Sequence, residues 1–127
     1  MNPEVKPPIL IVDDDEDLCA ELRAVLEVEG REVLEARNGK QALTLLTNGD
    51  VAEPGVIILD VKMPVMSGWE FLSIIRNYRR LARIPVLLIS GASYTEAVAR
   101  GVVSECLRKP IQADELLRKL AQIEGSS

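Results

Sequence analysis

A chain of 127 residues, 47% hydrophobic and 28% charged, can bury one real core and has no length for a second domain. Its net charge of −5 argues against nucleic acid as a direct partner, since phosphate contacts need clustered Lys and Arg. The absence of histidine excludes His-ligated zinc, Ser-His catalysis and service as a phosphohistidine donor. No apolar run is long enough for a bilayer and the N-terminus lacks a signal pattern, so no membrane partner is expected and the expected location is the cytoplasm. Cys19 and Cys106 are far apart without metal-ligand spacing, and read as buried thiols in a reducing compartment.

Residues 1–8, with Pro3, Pro7 and Pro8, read as a disordered or extended N-terminal tail. Ile9, Leu10, Ile11 and Val12 then form a wholly apolar run ending at Asp13, the pattern of a strand covered on both faces. From Asp15 to Glu29 the apolar positions Leu18, Leu22, Val25 and Leu26 recur at helical spacing, with Gly30 placed to end the helix. Residues 32–36 mix charge with apolar side chains, as an edge strand does. Asn38 with Gln41 resembles a capping box for a helix carrying Ala42, Leu45 and Leu46 and stopping at Gly49. A second apolar run, residues 56–59, leads to Asp60. Pro64 and Gly68 shape the turn that follows, and Ser67 with Glu70 opens a helix carrying Phe71, Ile74, Ile75 and Tyr78. The third apolar run, residues 86–89, leads to Ser90. Ser93 with Glu96 opens a short fourth helix that stops near Gly101. Residues 106–109 form a second mixed strand, and residues 113–124 a last helix with Leu116, Leu117, Leu120 and Ile123 on one face. Residues 125–127 read as a C-terminal tail, which leaves 9–124 as the folded domain.

Five strands alternating with five helices predict a doubly wound α/β fold. Fully apolar strands belong inside and mixed ones at the edges, which the flavodoxin-like parallel order 2-1-3-4-5 satisfies. In such a sheet, sites form beyond the carboxyl ends of the strands where the winding reverses, here between strands one and three. Asp13 and Asp14 leave one of those ends and Asp60 the other. Three carboxylates in one crevice repel, so a cation must compensate, and an all-oxygen ligand set suits a hard ion such as Mg²⁺, with Mn²⁺ as a substitute. Strands four and five bring Ser90 and Lys109 to the same rim. That set suits phosphoryl transfer to a carboxylate, with a metal and an ammonium neutralising the transferred oxygens. Asp60, which ends the central strand, is the nucleophile in this reading. Asp14 is a direct metal ligand, Asp13 a direct or water-bridged one, and the backbone carbonyl of Lys62 a further oxygen donor. Ser90 and Lys109 then hold the phosphoryl oxygens.

Over nearly its whole length the chain resembles a response-regulator receiver domain. The matching segments are ILIVDD at 9–14, LDVKMPVMSG at 59–68, LISG at 88–91, and Lys109-Pro110. The resemblance implies Mg²⁺-dependent phosphorylation of Asp60 by a partner histidine kinase or histidine phosphotransfer protein. It implies a Ser90 that moves toward the phosphoryl group and redraws the surface of the fourth helix, fifth strand and fifth helix, where a downstream protein target docks. A cis Lys109-Pro110 bond and a phosphorylation-dependent homodimer are further expectations of the family. Such a chain is a phosphoacceptor, promoting its own phosphorylation and slow dephosphorylation, and not an enzyme. The alternatives are an unphosphorylated docking platform, or a receiver fragment of a larger regulator or hybrid kinase. An aspartate-nucleophile phosphatase would need an acid two residues after Asp60, where Lys62 stands.

Two departures from the family pattern stand out. Members often carry Tyr or Phe three residues before the lysine; here Cys106 holds that switch position, so switching runs through the Ser90 loop alone or output uses another surface. The stretch from Ser90 to Lys109 is also short, which abbreviates the fourth helix. Lys62, two residues after Asp60, borders the pocket, and its ammonium is expected to tune phosphoryl lifetime.

Overall fold

Strands and helices alternate along the chain in the computed structural model, which describes residues 6–49, 51–63, 65–92 and 95–125. The order is β1 (Ile9–Val12), α1 (Glu16–Val28), β2 (Val33–Ala36), α2 (Gly39–Thr47), β3 (Val56–Asp60), α3 (Gly68–Ile75), β4 (Val86–Ser90), α4 (Thr95–Ala99), β5 (Glu105–Arg108) and α5 (Ala113–Glu124). All five strands pair in parallel in the order β2-β1-β3-β4-β5, the flavodoxin-like arrangement expected from the sequence. Among the described residues no helix is long and apolar enough to cross a membrane.

Strand periodicity explains why the central runs are wholly apolar. Side chains alternate across a sheet, so Ile9 and Ile11 enter the layer under α1 and α5 while Leu10 and Val12 enter the layer under α2 and α3. Val56 and Ile58 join the first layer, and Ile57 and Leu59 the second. Every residue of β1, β3 and β4 is buried, whereas β2 and β5 are only partly covered, as edge strands are.

Local chemistry sets most helix ends. The Asp15 carboxylate accepts from the N–H groups of Asp17 and Leu18 at 3.0 and 3.1 Å, capping α1. At its other end Gly30 takes φ +79°, and the N–H groups of Gly30 and Arg31 donate to the carbonyls of Glu27 and Leu26 at 3.0 Å each. That is a Schellman closure, which favours glycine because the left-handed region costs a Cβ. Asn38 accepts from Gln41 N–H at 2.8 Å, and Ser67 with Glu70 forms a reciprocal capping box.

Several boundaries differ from the sequence reading. Helix α3 stops at Ile75, before Tyr78, because the N–H groups of Asn77 and Tyr78 bond three residues back to Ile74 and Ile75, both at 3.1 Å. That tighter pattern ends the α-helix and leads into a 3-10 turn at Leu81–Arg83. Strand β5 starts one residue earlier than expected, so Lys109 lies just past its end. Pro7 and Pro8 are also tied down: the Pro8 carbonyl accepts from Gly55 N–H and the Pro7 carbonyl from Arg31 Nη2, both at 2.9 Å. The fourth helix is short, five residues, as its abbreviated sequence implies. Its expected cap Ser93, like the turn residue Pro64, lies outside the described residues.

Two features brace the ends of the domain. Arg31, with a side chain 7% exposed, pairs with Glu124 at 2.9 Å and so fastens the end of α5 to the entry of β2. The β3–α3 loop is drawn back on itself by a bond from Gly68 N–H to Val61 O at 2.9 Å. Within that loop Val65 sits at φ +69°, a left-handed conformation that costs a β-branched residue about 1–2 kcal/mol.

Candidate functional site

Alternation along the strands decides which side chains meet. Asp13 follows β1 with the parity of Ile9 and Ile11, Asp60 ends β3 with the parity of Val56 and Ile58, and Lys109 follows Leu107 by two residues. All three therefore leave the carboxyl edge of the sheet on the α1/α5 side. The pairing of Val12 with Leu59 sets Asp13 abreast of Asp60. Ser90 has the other parity and approaches from the α4 side.

Distances agree with that placement. One carboxylate oxygen from each of Asp13, Asp14 and Asp60 lies within 4.8 Å of the others. Lys109 Nζ is 3.5 Å from Asp60 Oδ1 and 3.9 Å from Asp13 Oδ2. Lys109 is itself positioned by its N–H, which donates to the Ser90 carbonyl at 2.7 Å across the ends of β4 and β5. Ser90 Oγ accepts from Ala92 N–H at 3.0 Å. Asp14, Asp60, Lys62, Ser90 and Lys109 all line one open cleft of about 680 Å³.

The three acids differ in environment. Asp14 is exposed, Asp60 is 5% exposed, and Asp13 is fully buried. Asp13 Oδ1 accepts from Asp15 N–H at 3.0 Å, while Oδ2 is buried with no hydrogen-bond partner among the described residues. Burial pushes the Asp13 carboxyl up to about 6; the Asp15 N–H opposes the rise, and the Asp60 charge adds to it. Below it, the Cys19 thiol donates to the Asp13 carbonyl at 3.6 Å and is pushed up to about 11, chiefly by burial, so it stays protonated and keeps that bond. A buried carboxylate oxygen with no hydrogen bond, beside two further carboxylates, is a donor set that fits a hard divalent cation.

The sequence-predicted residues thus converge, with distinctions the sequence did not give. Lys62 is exposed on the cleft wall. Lys109-Pro110 is cis, as expected. Cys106 is half-buried, not buried as its hydrophobic character suggested, because β5 is an edge strand; it pairs with Leu88 and packs on the α3/α4-side core. Asp15, Gly91 and Ala92 also line the cleft and were not singled out from sequence. Asp15 was legible in principle as the third acid after β1; a glycine and an alanine carry no chemical signal at all.

The chain matches the family described as response regulator receiver domain over residues 9–121. It is 32% identical to the sensor histidine kinase CheAY of Helicobacter pylori over 123 residues, covering 92% of this chain and 15% of that protein. It spans about half the length of transcriptional regulatory proteins that it also matches. The chemotaxis response regulator CheY4 of Vibrio cholerae superposes with a TM-score of 0.82 at 29% identity, covering 94% of this chain and 99% of that one. The response regulator TrrA of Thermotoga maritima, solved in complex with Mg²⁺-BeF, superposes with a TM-score of 0.79 at 30% identity, with 94% and 99% covered. Five alternating strands and helices, a triad of acids at the reversal point and a family match spanning the sheet all agree: the chain belongs to the response-regulator receiver domains of two-component systems.

Proposed function

We propose that Asp60 is the phosphoacceptor of a cytoplasmic phosphorelay, within a receiver unit spanning 9–124, and takes its phosphoryl group from a phosphohistidine on a kinase or phosphotransfer partner. The observation that carries this reading is the placement of Lys109 Nζ 3.5 Å from Asp60, whose carboxylate lies within 4.8 Å of those of Asp13 and Asp14. An Asp60 carboxylate oxygen attacks phosphorus, the bond to the donor nitrogen breaks, and the neutral imidazole leaves with a proton from solvent. Asp13, Asp14, Asp60 and the Lys62 carbonyl would hold Mg²⁺, which when bound would neutralise charge on the carboxylates and on the transferred oxygens. Lys109 pairs with one phosphoryl oxygen, and the Ser90 hydroxyl donates to another. Rotation of Ser90 Oγ toward the phosphoryl group to make that bond takes it away from the Ala92 N–H it now accepts from, and so frees the loop leading to α4. With Cys106 in place of an aromatic ring, this loop carries the readout to a downstream protein target, through a changed α4–β5–α5 surface.

Incubation with Mg²⁺ and acetyl phosphate tests the assignment. The expected product is one hydroxylamine-sensitive phosphoryl group per chain, absent from Asp60→Asn and absent when the divalent ion is chelated. Label that persists in Asp60→Asn sinks it, and steady turnover of phosphate esters would make the protein an enzyme instead. No reaction at all would favour an unphosphorylated docking platform.

The exposed Lys62 ammonium stands on the cleft wall, where it screens the acyl phosphate from water. Replacing it with alanine is expected to change the dephosphorylation rate several-fold while leaving the extent of labelling intact. An unchanged rate removes Lys62 from the mechanism.

A further inference from the structure

Residues 76–83 hold four arginines and no carboxylate, in a chain whose net charge is −5. They cap α3, form the connector and make the 3-10 turn before β4. This places them at the amino end of the sheet, and α3, with eight residues, separates them by about 12 Å from the loop that follows Asp60. All four arginines are exposed. Two of them hold structure. Arg76 donates to the carbonyls of Ala82 and Val102, drawing the α4–β5 connection against α3, and Arg80 pairs with Glu53 at 2.7 Å. Arg79 and Arg83 make no side-chain hydrogen bond or ion pair among the described residues.

Beside them lies apolar surface. Arg83 and Glu53 border an open groove of about 290 Å³ walled by Pro7, Pro54, Ile84 and Pro85. On the other flank, Tyr78 is 48% and Val102 37% exposed. Three prolines in the wall have no N–H to offer, and the Ile84 N–H is already bonded to Leu81 O at 3.1 Å. The prolines interrupt any regular row of N–H donors that an added strand would need, whereas the groove can take an apolar side chain. Arg83, on the groove, and Arg79, exposed four residues earlier in the chain, carry guanidinium groups that bind carboxylates in a fork geometry lysines would not reproduce.

We propose that this end of the domain docks an extended acidic segment of a partner protein, with an apolar residue seated in the proline-walled groove and flanking carboxylates on Arg79 and Arg83. Charge range favours a peptide over a nucleic acid or an anionic membrane. With a Debye length of about 8 Å at physiological salt, a short segment meets only the arginines beneath it. A long polyanion also faces the acidic remainder of the chain and is repelled by it.

The test is a fluorescence-anisotropy titration of the whole chain with a labelled peptide in which leucine is flanked on each side by two glutamates. Expected results are saturable binding that weakens as salt rises, and a loss of at least tenfold in the double variant Arg79→Glu/Arg83→Glu. Lys40→Glu, an exposed charge reversal on α2, should change affinity less than twofold. A peptide with glutamine for glutamate should bind at least tenfold more weakly, and one with serine for leucine several-fold. The double variant should keep wild-type melting and acetyl-phosphate labelling, which separates lost docking from lost folding. The proposal is overturned by no peptide binding up to millimolar chain, by equal binding of the double variant, or by indifference to the leucine. Tighter binding to phosphatidylserine vesicles or duplex DNA than to the peptide overturns it too, as does self-association abolished by the double variant, which would make a second copy the occupant.

Discussion

In the absence of divalent cations at pH 7.5, Asp13→Asn is expected to melt about 5–10 °C above the parent chain, a gain of roughly 2 kcal/mol. The Asp13 carboxyl is fully buried and lifted from 3.8 to about 6. Between those pH values the folded chain keeps a proton that the unfolded chain has lost. Stability then falls as pH rises through that window, by about 1.4 kcal/mol per pH unit of separation, and the deficit is fully present above pH 6. Asparagine removes the charge. Its amide oxygen can still accept the Asp15 N–H at the place of Oδ1, and its NH₂ can donate toward Asp60 where Oδ2 now has no hydrogen bond. The measurement is the difference between the two melting curves from pH 4 to 8, in which every titrating group shared by the two chains cancels. That difference should open between about pH 4 and pH 6 and then stay level. Saturating Mg²⁺ should stabilise the parent and close most of the gap, since only the parent keeps three carboxylates for the ion. A variant that melts no higher than the parent at pH 7.5, or gains as much from Mg²⁺, would mean that Asp13 is not strained by its neighbours.

The asymmetry between Asp13 and Asp14 marks the limit of what the sequence could supply. Strand content was legible because a run such as Ile9 to Val12, apolar on both parities, only makes sense with helices on both faces, and the mixed runs at β2 and β5 could only be edges. The meeting of Asp13, Asp60 and Lys109 followed from strand order. Strand alternation in the structure separates Asp13 from Asp14, because one continues the inward alternation of β1 and the other does not, a distinction the sequence reading did not draw. The depth of that separation, one side chain fully buried and the next exposed, depends on how α1 folds back through Cys19 onto the Asp13 carbonyl, which no spacing encodes. Helix ends were legible where a side chain makes the cap, as at Asn38 and Ser67. They were not where the backbone changes hydrogen-bond step, as after Ile75. Arg31 was invisible for a related reason: its partners, the Pro7 carbonyl and Glu124, come from opposite ends of the chain.

Gly68→Ala should show how tightly the acceptor residue is held by packing behind it. A Cβ at this position would lie 2.5 Å from the Asp60 carbonyl oxygen, 3.0 Å from Val61 Cα and 3.2 Å from the Asp60 carbonyl carbon. All three are backbone atoms at the end of β3, so no rotamer change relieves the contact. Alanine gains up to about 1 kcal/mol of helix propensity over glycine, but overpacking against rigid backbone costs about 1–3 kcal/mol, and contacts below 3 Å belong at the upper end. The clash therefore wins, with an expected net loss of about 2 kcal/mol. Relief requires either α3 to withdraw, breaking the bond from Gly68 N–H to Val61 O, or the end of β3 to shift. Both move the Asp60 carboxylate relative to Asp13 and Lys109, so Mg²⁺ affinity and acetyl-phosphate labelling should each fall about tenfold or more. Gly91→Ala is the matched control: that glycine also lines the cleft, yet a Cβ there meets nothing within 4 Å. It should leave stability within about 0.5 kcal/mol of the parent. If urea melts place Gly68→Ala as close to the parent as Gly91→Ala, the β3–α3 turn is more compliant than its contacts imply. Asp60 would then owe its position to the sheet alone.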